Sequence, residues 1–227
     1  MIHLIIHIGG VKVGHGGTLD PMATGVLVIG VGRGCKKLQE FLINTNKRYQ
    51  TIGQFGVSFD TDDTSGLLLE EAPFEHITET QVREELINSF TGTIMQRPPS
   101  FSAKQVNGKR AYKQARERQR QLKADPLMKE DELTPELILP ERQITISHME
   151  LATFDLPFFA LDMEVSSGTY VRSICRDLGV NVGSLAAMTA LRRVQQGIFS
   201  LDQCLEMEEL DDLDTIEKAI AKFNDGS

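Results

Sequence analysis

Two stretches in the second half of the chain alternate apolar and polar residues: Gln143 to Phe154, and Ala160 to Ser166 through Leu161, Met163 and Val165. A period of two fits a strand with one buried face, and two such runs separated by a short link predict a pair of long strands. Lys47 to Val57 is rich in β-formers and broken by glycines, and reads as another strand. Ala23 to Gly32 is an apolar, β-branched run bounded by glycines and reads as a buried strand. A short strand is expected around Gly197 to Ser200.

Helical spacing separates these runs. Cys35 to Leu42 places Leu38, Phe41 and Leu42 on one face, and a second helix is expected from a Thr80 cap through Val82, Leu86, Ile87 and Phe90. Asp60 to Gly66 is a turn-rich acidic loop. Pro98 and Pro99 exclude a helical start for Gln96 to Arg110, and Asn107-Gly108 predicts a hairpin there. Ala111 to Leu122 reads as a basic helix, and Lys123 to Pro140 as an exposed polar insertion with a short helix at most. Gly168 to Gly179 is expected to be turn, helix and stop, with Val171, Ile174, Cys175 and Leu178 on the apolar stripe. A further helix is expected to end near Arg192-Arg193, and an acidic helix closes the chain. The whole reads as α+β, with a mixed, mainly antiparallel sheet and flanking helices.

Over 227 residues, 41% hydrophobic and 25% charged content is ordinary for a soluble globular chain. No apolar run approaches the roughly 20 residues of a membrane span, and Ile2 to Ile8 is too short and lacks a basic leader, so an intracellular protein without a membrane partner is expected. Cys35, Cys175 and Cys204 have neither zinc-site nor disulfide spacing and read as free thiols. A net charge of −8 argues against RNA binding over the whole surface. Acid is concentrated in Glu206 to Asp225 and around Asp60, Asp62 and Asp63, whereas Lys104 to Lys123 is basic with Glu117 its only acid. A local basic stripe on an acidic protein and a merely solvated helix face both fit that segregation.

The segment Gly14-His15-Gly16-Gly17-Thr18-Leu19-Asp20-Pro21 sets one carboxylate in a glycine-rich, proline-closed loop. The glycines let the backbone approach a ligand, and Pro21 biases Asp20 toward an extended conformation. On these residues alone, a turn-forming aspartate and a presented catalytic one are equally supported. With its extensions Lys12-Val13 and Ala23-Thr24-Gly25-Val26-Leu27, the segment resembles the signature of the TruB type of tRNA pseudouridine synthases, and Gly16-Gly17 is similar to the eukaryotic branch. Four further patches match in order: Lys47-Arg48-Tyr49 with Gly56; Arg97 to Lys104 with Gly108 to Arg116; Ser167 to Ser173 with Asp177-Leu178-Gly179; and Leu191-Arg192-Arg193 with Gly197-Ile198-Phe199.

The resemblance implies a pseudouridine-synthase sheet, a catalytic domain over residues 12–201 interrupted by the insertion at 123–140, and an acidic tail over 202–227. It assigns Asp20 as nucleophile, Arg172 as the arginine that pairs with it, and Tyr49 as the residue stacked on the target base and near the proton to be moved. An arginine suits that place because a carboxylate in a partly dry pocket needs a cation to stay ionised, and guanidinium can bind it bidentately. His15, Gly16, Gly17 and Thr18 would lie against the flipped nucleotide, and Tyr170 would line the same pocket. Lys104, Lys109, Arg110, Arg192 and Arg193 would contact RNA phosphate. Flipping is required because the reacting base is otherwise buried in folded RNA.

The implied reaction is uridine to pseudouridine in the T loop of tRNA, at the position conventionally numbered 55, with messenger RNA as a further substrate, no cofactor, no metal, and a monomeric enzyme. A nuclear or mitochondrial site is expected for a eukaryotic member, and a cytoplasmic one otherwise. Three alternatives stand beside it: a non-catalytic RNA-binding or RNA-folding protein, a guide-RNA-dependent synthase acting on ribosomal RNA, and a carboxylate glycosidase. The last needs two flanking acids, and Asp177, the obvious second one, fits an ion pair or a helix cap better. The chain departs from the family in two ways: Met1 to Val11 does not match the usual Lys-Pro-x-Gly segment and helix, and no PUA domain is expected.

Overall fold

The computed structural model describes residues 11–102, 105–106, 109–125, 128–129, 132–135 and 138–225. The first half contains β1 (Val13–His15), β2 (Thr24–Gly25), β3 (Ile29–Val31), α1 (Leu38–Ile43), β4 (Lys47–Phe55), β5 (Val57–Phe59), β6 (Leu68–Glu71), α2 (Glu79–Ser89) and β7 (Gly92–Gln96). Then come β8 (Gln105–Val106), β9 (Lys109–Arg110), α3 (Ala111–Ala124), β10 (Arg142–Asp155), β11 (Phe158–Val165), α4 (Val171–Asn181), β12 (Ala186–Gln196), β13 (Phe199–Ser200) and α5 (Leu213–Asp225). The main sheet runs β13-β12-β4-β11-β10-β7, with β2 joined to β12 as a seventh, parallel strand. Its other pairings are antiparallel, so the α+β expectation holds.

The two alternating runs pair with each other as β10 and β11. Along β4, Lys47, Tyr49, Thr51, Gly53 and Phe55 are buried and their neighbours are more exposed, the period-two pattern of a strand with one covered face. The covering layer is helical. Val171, Ile174, Cys175 and Leu178 of α4, with Val82 and Leu86 of α2, join Tyr49, Phe55, Phe159, Leu161 and Met163 in one core. The five buried aliphatic side chains of these helices, Val82, Leu86, Val171, Ile174 and Leu178, contribute about 1.5–3 kcal/mol each, which outweighs their weak local propensity.

Several expectations are corrected. Ala23 to Gly32 is two strands rather than one, because Gly25 takes a φ of +97° and a Cβ there would lie 2.2 Å from the Arg193 carbonyl oxygen. The chain turns at that point, and Ile29–Val31 leaves the main sheet to pair with β1, with Leu27, Ile29 and Val31 exposed. The expected helix before Arg193 is β12, whose nine residue pairings with β4 override the helical propensity of Ala186-Ala187-Met188. Gly179 does not stop its helix, which continues to Asn181. Glycine is needed there because the backbone nitrogen of Ala186 passes 2.3 Å from where its Cβ would stand.

The α2 cap is Thr78, which accepts a hydrogen bond from the Gln81 amide at 3.3 Å, rather than Thr80. Ile87 is 70% exposed and lies off the packed face. In the insertion, Leu133 and Leu139 are buried, so this stretch is anchored to the body rather than wholly exposed. Its described residues beyond Ala124 form no helix. The hairpin forms as β8 and β9; the turn residues Asn107 and Gly108 lie outside the described residues.

Candidate active site

Asp20 sits at the end of the loop that leaves β1. The loop is closed by the Ala23 amide on the Asp20 carbonyl at 2.9 Å, and its start is held by the Gly16 amide on the Val28 carbonyl at 2.8 Å. From the first turn of α4, Arg172 reaches it with two parallel bonds, Nε to Oδ2 and Nη2 to Oδ1, both 3.0 Å. The arginine side chain is 6% exposed and the aspartate side chain 28%, so the pair is buried on its cationic side and open on its anionic side. A carboxylate fixed by a fork and still accessible along one edge is arranged to meet a ligand.

The guanidinium is itself collared. Nη1 donates to the Thr61 carbonyl at 2.9 Å, Nη2 also donates to the Phe101 carbonyl at 3.2 Å, and Asp63 Oδ2 lies 3.7 Å from Nε. Asp63 is held by the Thr61 hydroxyl at 2.9 Å, the Ser65 amide at 3.0 Å and the Ser65 hydroxyl. Sequence reasoning noted the acidic loop but missed the part played by Asp63 and Thr61. The available signal was the run Thr61-Asp62-Asp63-Thr64-Ser65, where hydroxyls stand beside acids and can satisfy them locally.

One turn further along α4, Arg176 bonds Asp62 and Asp177, each at 2.8 Å, which gives Asp177 the ion pair expected of it. Burial raises the Asp62 carboxyl from 3.8 to about 6, against the lowering effect of Arg176 and Arg172. An acid whose pKa is higher in the folded chain than in the unfolded one holds its proton more tightly when folded. Its contribution is therefore most favourable below 3.8 and is lost as pH rises toward about 6. Asp62→Asn removes that dependence, so the urea midpoint of the variant relative to the native chain should rise between about pH 4 and about pH 7. A constant difference between the two midpoints would contradict it.

Tyr49 lies on β4 with Arg193 as its cross-strand neighbour on β12, and is 7% exposed. Burial pushes its phenol above the usual value of 10, partly offset by the charge and hydrogen bond of Arg193, and nearby Asp20 adds to the rise. The phenol is thus protonated at neutral pH. Tyr170 caps α4, its backbone held in both directions by Gln96 at 2.8 and 2.9 Å, and its ring lies 4.8 Å beneath the Arg142 guanidinium.

His15 is half-buried on β1, with a buried Nδ1 that has no hydrogen-bond partner among the described residues. Thr18 is exposed, Gly16 is buried and Gly17 is half-buried. Arg192 is exposed, as a phosphate contact requires. Arg193 is 1% exposed and turned inward onto the Val26 and Gly17 carbonyls, which corrects the expectation that it contacts phosphate. Lys104 lies outside the described residues, as do the side chains of Lys109 and Arg110.

The three cysteines are free, and burial pushes the Cys175 thiol to about 12, leaving it inert. Among the described residues no helix is long and apolar enough to cross a membrane.

Comparison with known proteins accords with this geometry. Residues 6–171 match the N-terminal domain of the TruB family pseudouridylate synthases, and residues 172–223 match the tRNA pseudouridylate synthase B C-terminal domain. The chain is 39% identical over 211 residues to the mouse pseudouridylate synthase TRUB1, covering 93% of this chain and 57% of that protein. It is 37% identical over 217 residues to the tRNA pseudouridine synthase B of Parabacteroides distasonis, covering 95% of this chain and 83% of the relative. It thus spans little more than half the length of its mammalian relative and most of its bacterial one. Among solved structures, a Cbf5-Nop10-Gar1 complex aligns with a TM-score of 0.62 at 21% identity, over 92% of this chain and 50% of the other, a likeness of fold. With the aspartate loop, its arginine partner and the sheet all in place, the chain belongs to the TruB family of pseudouridylate synthases.

Proposed function

We propose that this chain isomerises uridine to pseudouridine in RNA, and that its substrate is the T loop of tRNA. The observation that carries the reading is the bidentate bond between Arg172 and Asp20, at 3.0 Å on both arms, with the carboxylate open on one side. A carboxylate so held can act as a nucleophile, because its rotamer is set before the substrate arrives. Asp20 attacks the extruded nucleotide at the ribose or the base, and the bond between C1′ and N1 breaks. The uracil turns, C5 bonds to C1′, the bond to Asp20 breaks and returns its electron pair to the carboxylate, the C5 proton leaves and N1 takes up a proton. Atoms and electrons balance with no oxidant, reductant or cofactor. Tyr49 faces the base and His15 supports the extruded loop, while Arg192 meets phosphate at the rim. Messenger RNA that presents the same stem and loop would serve as a further substrate.

The test is release of tritium from tRNA transcripts labelled at uracil C5, with purified protein and no guide RNA. Release is expected from a full transcript and from an isolated T arm, and should disappear when the target uridine of the T loop is replaced by cytidine. Binding of tRNA without release would favour the non-catalytic reading, and release only after guide RNA is added would favour a guided enzyme.

A further inference from the structure

Arg193 is the largest fully buried side chain among the described residues. Burying a guanidinium is costly unless its donors are filled, and an apolar residue of similar volume often serves packing better. Arg193 has carbonyl partners: Nε donates to Val26 O at 2.7 Å and Nη2 to Gly17 O at 3.0 Å. Its backbone carbonyl also accepts the Val26 amide at 2.8 Å. The same residue pairs across the sheet with Tyr49 on one side and Gly25 on the other. Beside it, Gln196 on β12 is fully buried and holds the carbonyls of Gly16 and, at 3.0 Å, Phe41.

Consecutive carbonyls of the loop before Asp20 are therefore clasped by two side chains from one strand. A second cation, Lys47, is 7% exposed in the same region, and its pKa falls to about 8 through burial and then through the charge of Arg193. Two buried cations this close are unfavourable for packing alone, which points to a specific use for the arginine.

We infer that Arg193 is a positioning residue for the proposed isomerisation: its buried guanidinium ties the stem of the Asp20 loop, at Gly17 and Val26, to β12 directly opposite Tyr49 on β4, so that nucleophile and base-facing tyrosine keep one spacing. The inference rests on the function proposed above. Arg172 holds the carboxylate end of the nucleophile, and Arg193 holds the backbone that carries it. A shift of about 1 Å in such a framework is enough to cost about 10²-fold in rate.

The experiment compares Arg193→Met and Arg193→Lys with the native chain in tritium release from tRNA, and follows the three tyrosines by NMR after labelling at Cζ. Arg193→Met is expected to lower kcat by about 10²-fold with KM within about twofold of native. Arg193→Lys, which keeps charge but loses the fork, should recover about tenfold of that loss. The Tyr49 Cζ resonance, assigned with Tyr49→Phe, should move in both variants while those of Tyr112 and Tyr170 stay in place. A loss expressed in KM would return Arg193 to the phosphate contact expected from the sequence and overturn the inference, as would native kcat or an unmoved Tyr49 resonance. If Arg193→Met does not fold, Arg193→Lys carries the same three readouts. Failure of the native chain to release tritium would sink the proposed activity itself, while the Tyr49 resonance would still show whether Arg193 organises the loop.

Discussion

Asp20→Asn should leave tRNA binding intact and reduce tritium release by about 10⁴-fold or more, the scale on which removal of a covalent nucleophile acts. The substitution is nearly isosteric. It keeps one oxygen for the Arg172 fork but turns an amide N–H toward a guanidinium that already donates, replacing one of the two 3.0 Å bonds with a donor facing a donor. Stability should fall by about 1–3 kcal/mol, the cost of leaving a buried donor unmatched, which a small domain tolerates. Activity and stability therefore separate in this variant. Gel-shift binding, urea unfolding and single-turnover tritium release on one preparation would show it. Release near the native rate would mean that Asp20 is a turn residue and that the chemistry lies elsewhere.

Arg172→Met acts on both quantities. The guanidinium serves Asp20, the carbonyls of Thr61 and Phe101, and the nearby Asp63, all from a position 5% exposed. Methionine fills much of the volume and serves none of them. Asp63, 3% exposed, would be left without its neighbouring positive charge. Breaking a buried pair from one side costs about 3–5 kcal/mol, and the released Asp20 side chain should cost a further 10²-fold or so in rate. Arg172→Lys restores the charge without the fork, and should recover more stability than activity, because one ammonium cannot hold both carboxylate oxygens and the Thr61 carbonyl at once. Urea midpoints and single-turnover rates for the pair of variants test this. A methionine variant with native kcat would remove the arginine from the site.

How much of this was legible beforehand depended on whether the deciding contact was local. The alternation of Gln143 to Phe154 and Ala160 to Ser166 predicted β10 and β11, because a strand buried on one face writes its period directly into the residues. Asp20, Arg172 and Tyr49 were found through the resemblance of their motifs; nothing in their spacing says that residues 152 positions apart meet in a fork. The misreading of β12 as a helix has a simple cause. Ala186-Ala187-Met188 has good helical propensity, and it forms a strand because β4 offers it partners along its whole length.

Arg193 shows the same limit at a single side chain. Beside Arg192 in a basic dipeptide, it reads as a phosphate contact. In a strand adjacent residues point to opposite faces, so Arg192 is exposed while Arg193 is driven into the core. Once that segment is known to be a strand the division follows, and with helical geometry it does not.

By itself, then, the amino-acid sequence determined the elements whose pattern is local: the alternating strands, the glycine-closed aspartate loop, the pairing of β8 with β9 and the apolar stripe of α4. It also carried the motifs by which the chain resembles its family, because a motif is written in residue type. Only the tertiary structure decided that Arg172 is collared by Thr61, Phe101 and Asp63, that β12 is a strand, and that Arg193 supports the loop from beneath. Each of those outcomes turns on partners far away in the chain, where burial and the need to fill every buried hydrogen-bonding group outweigh local preference.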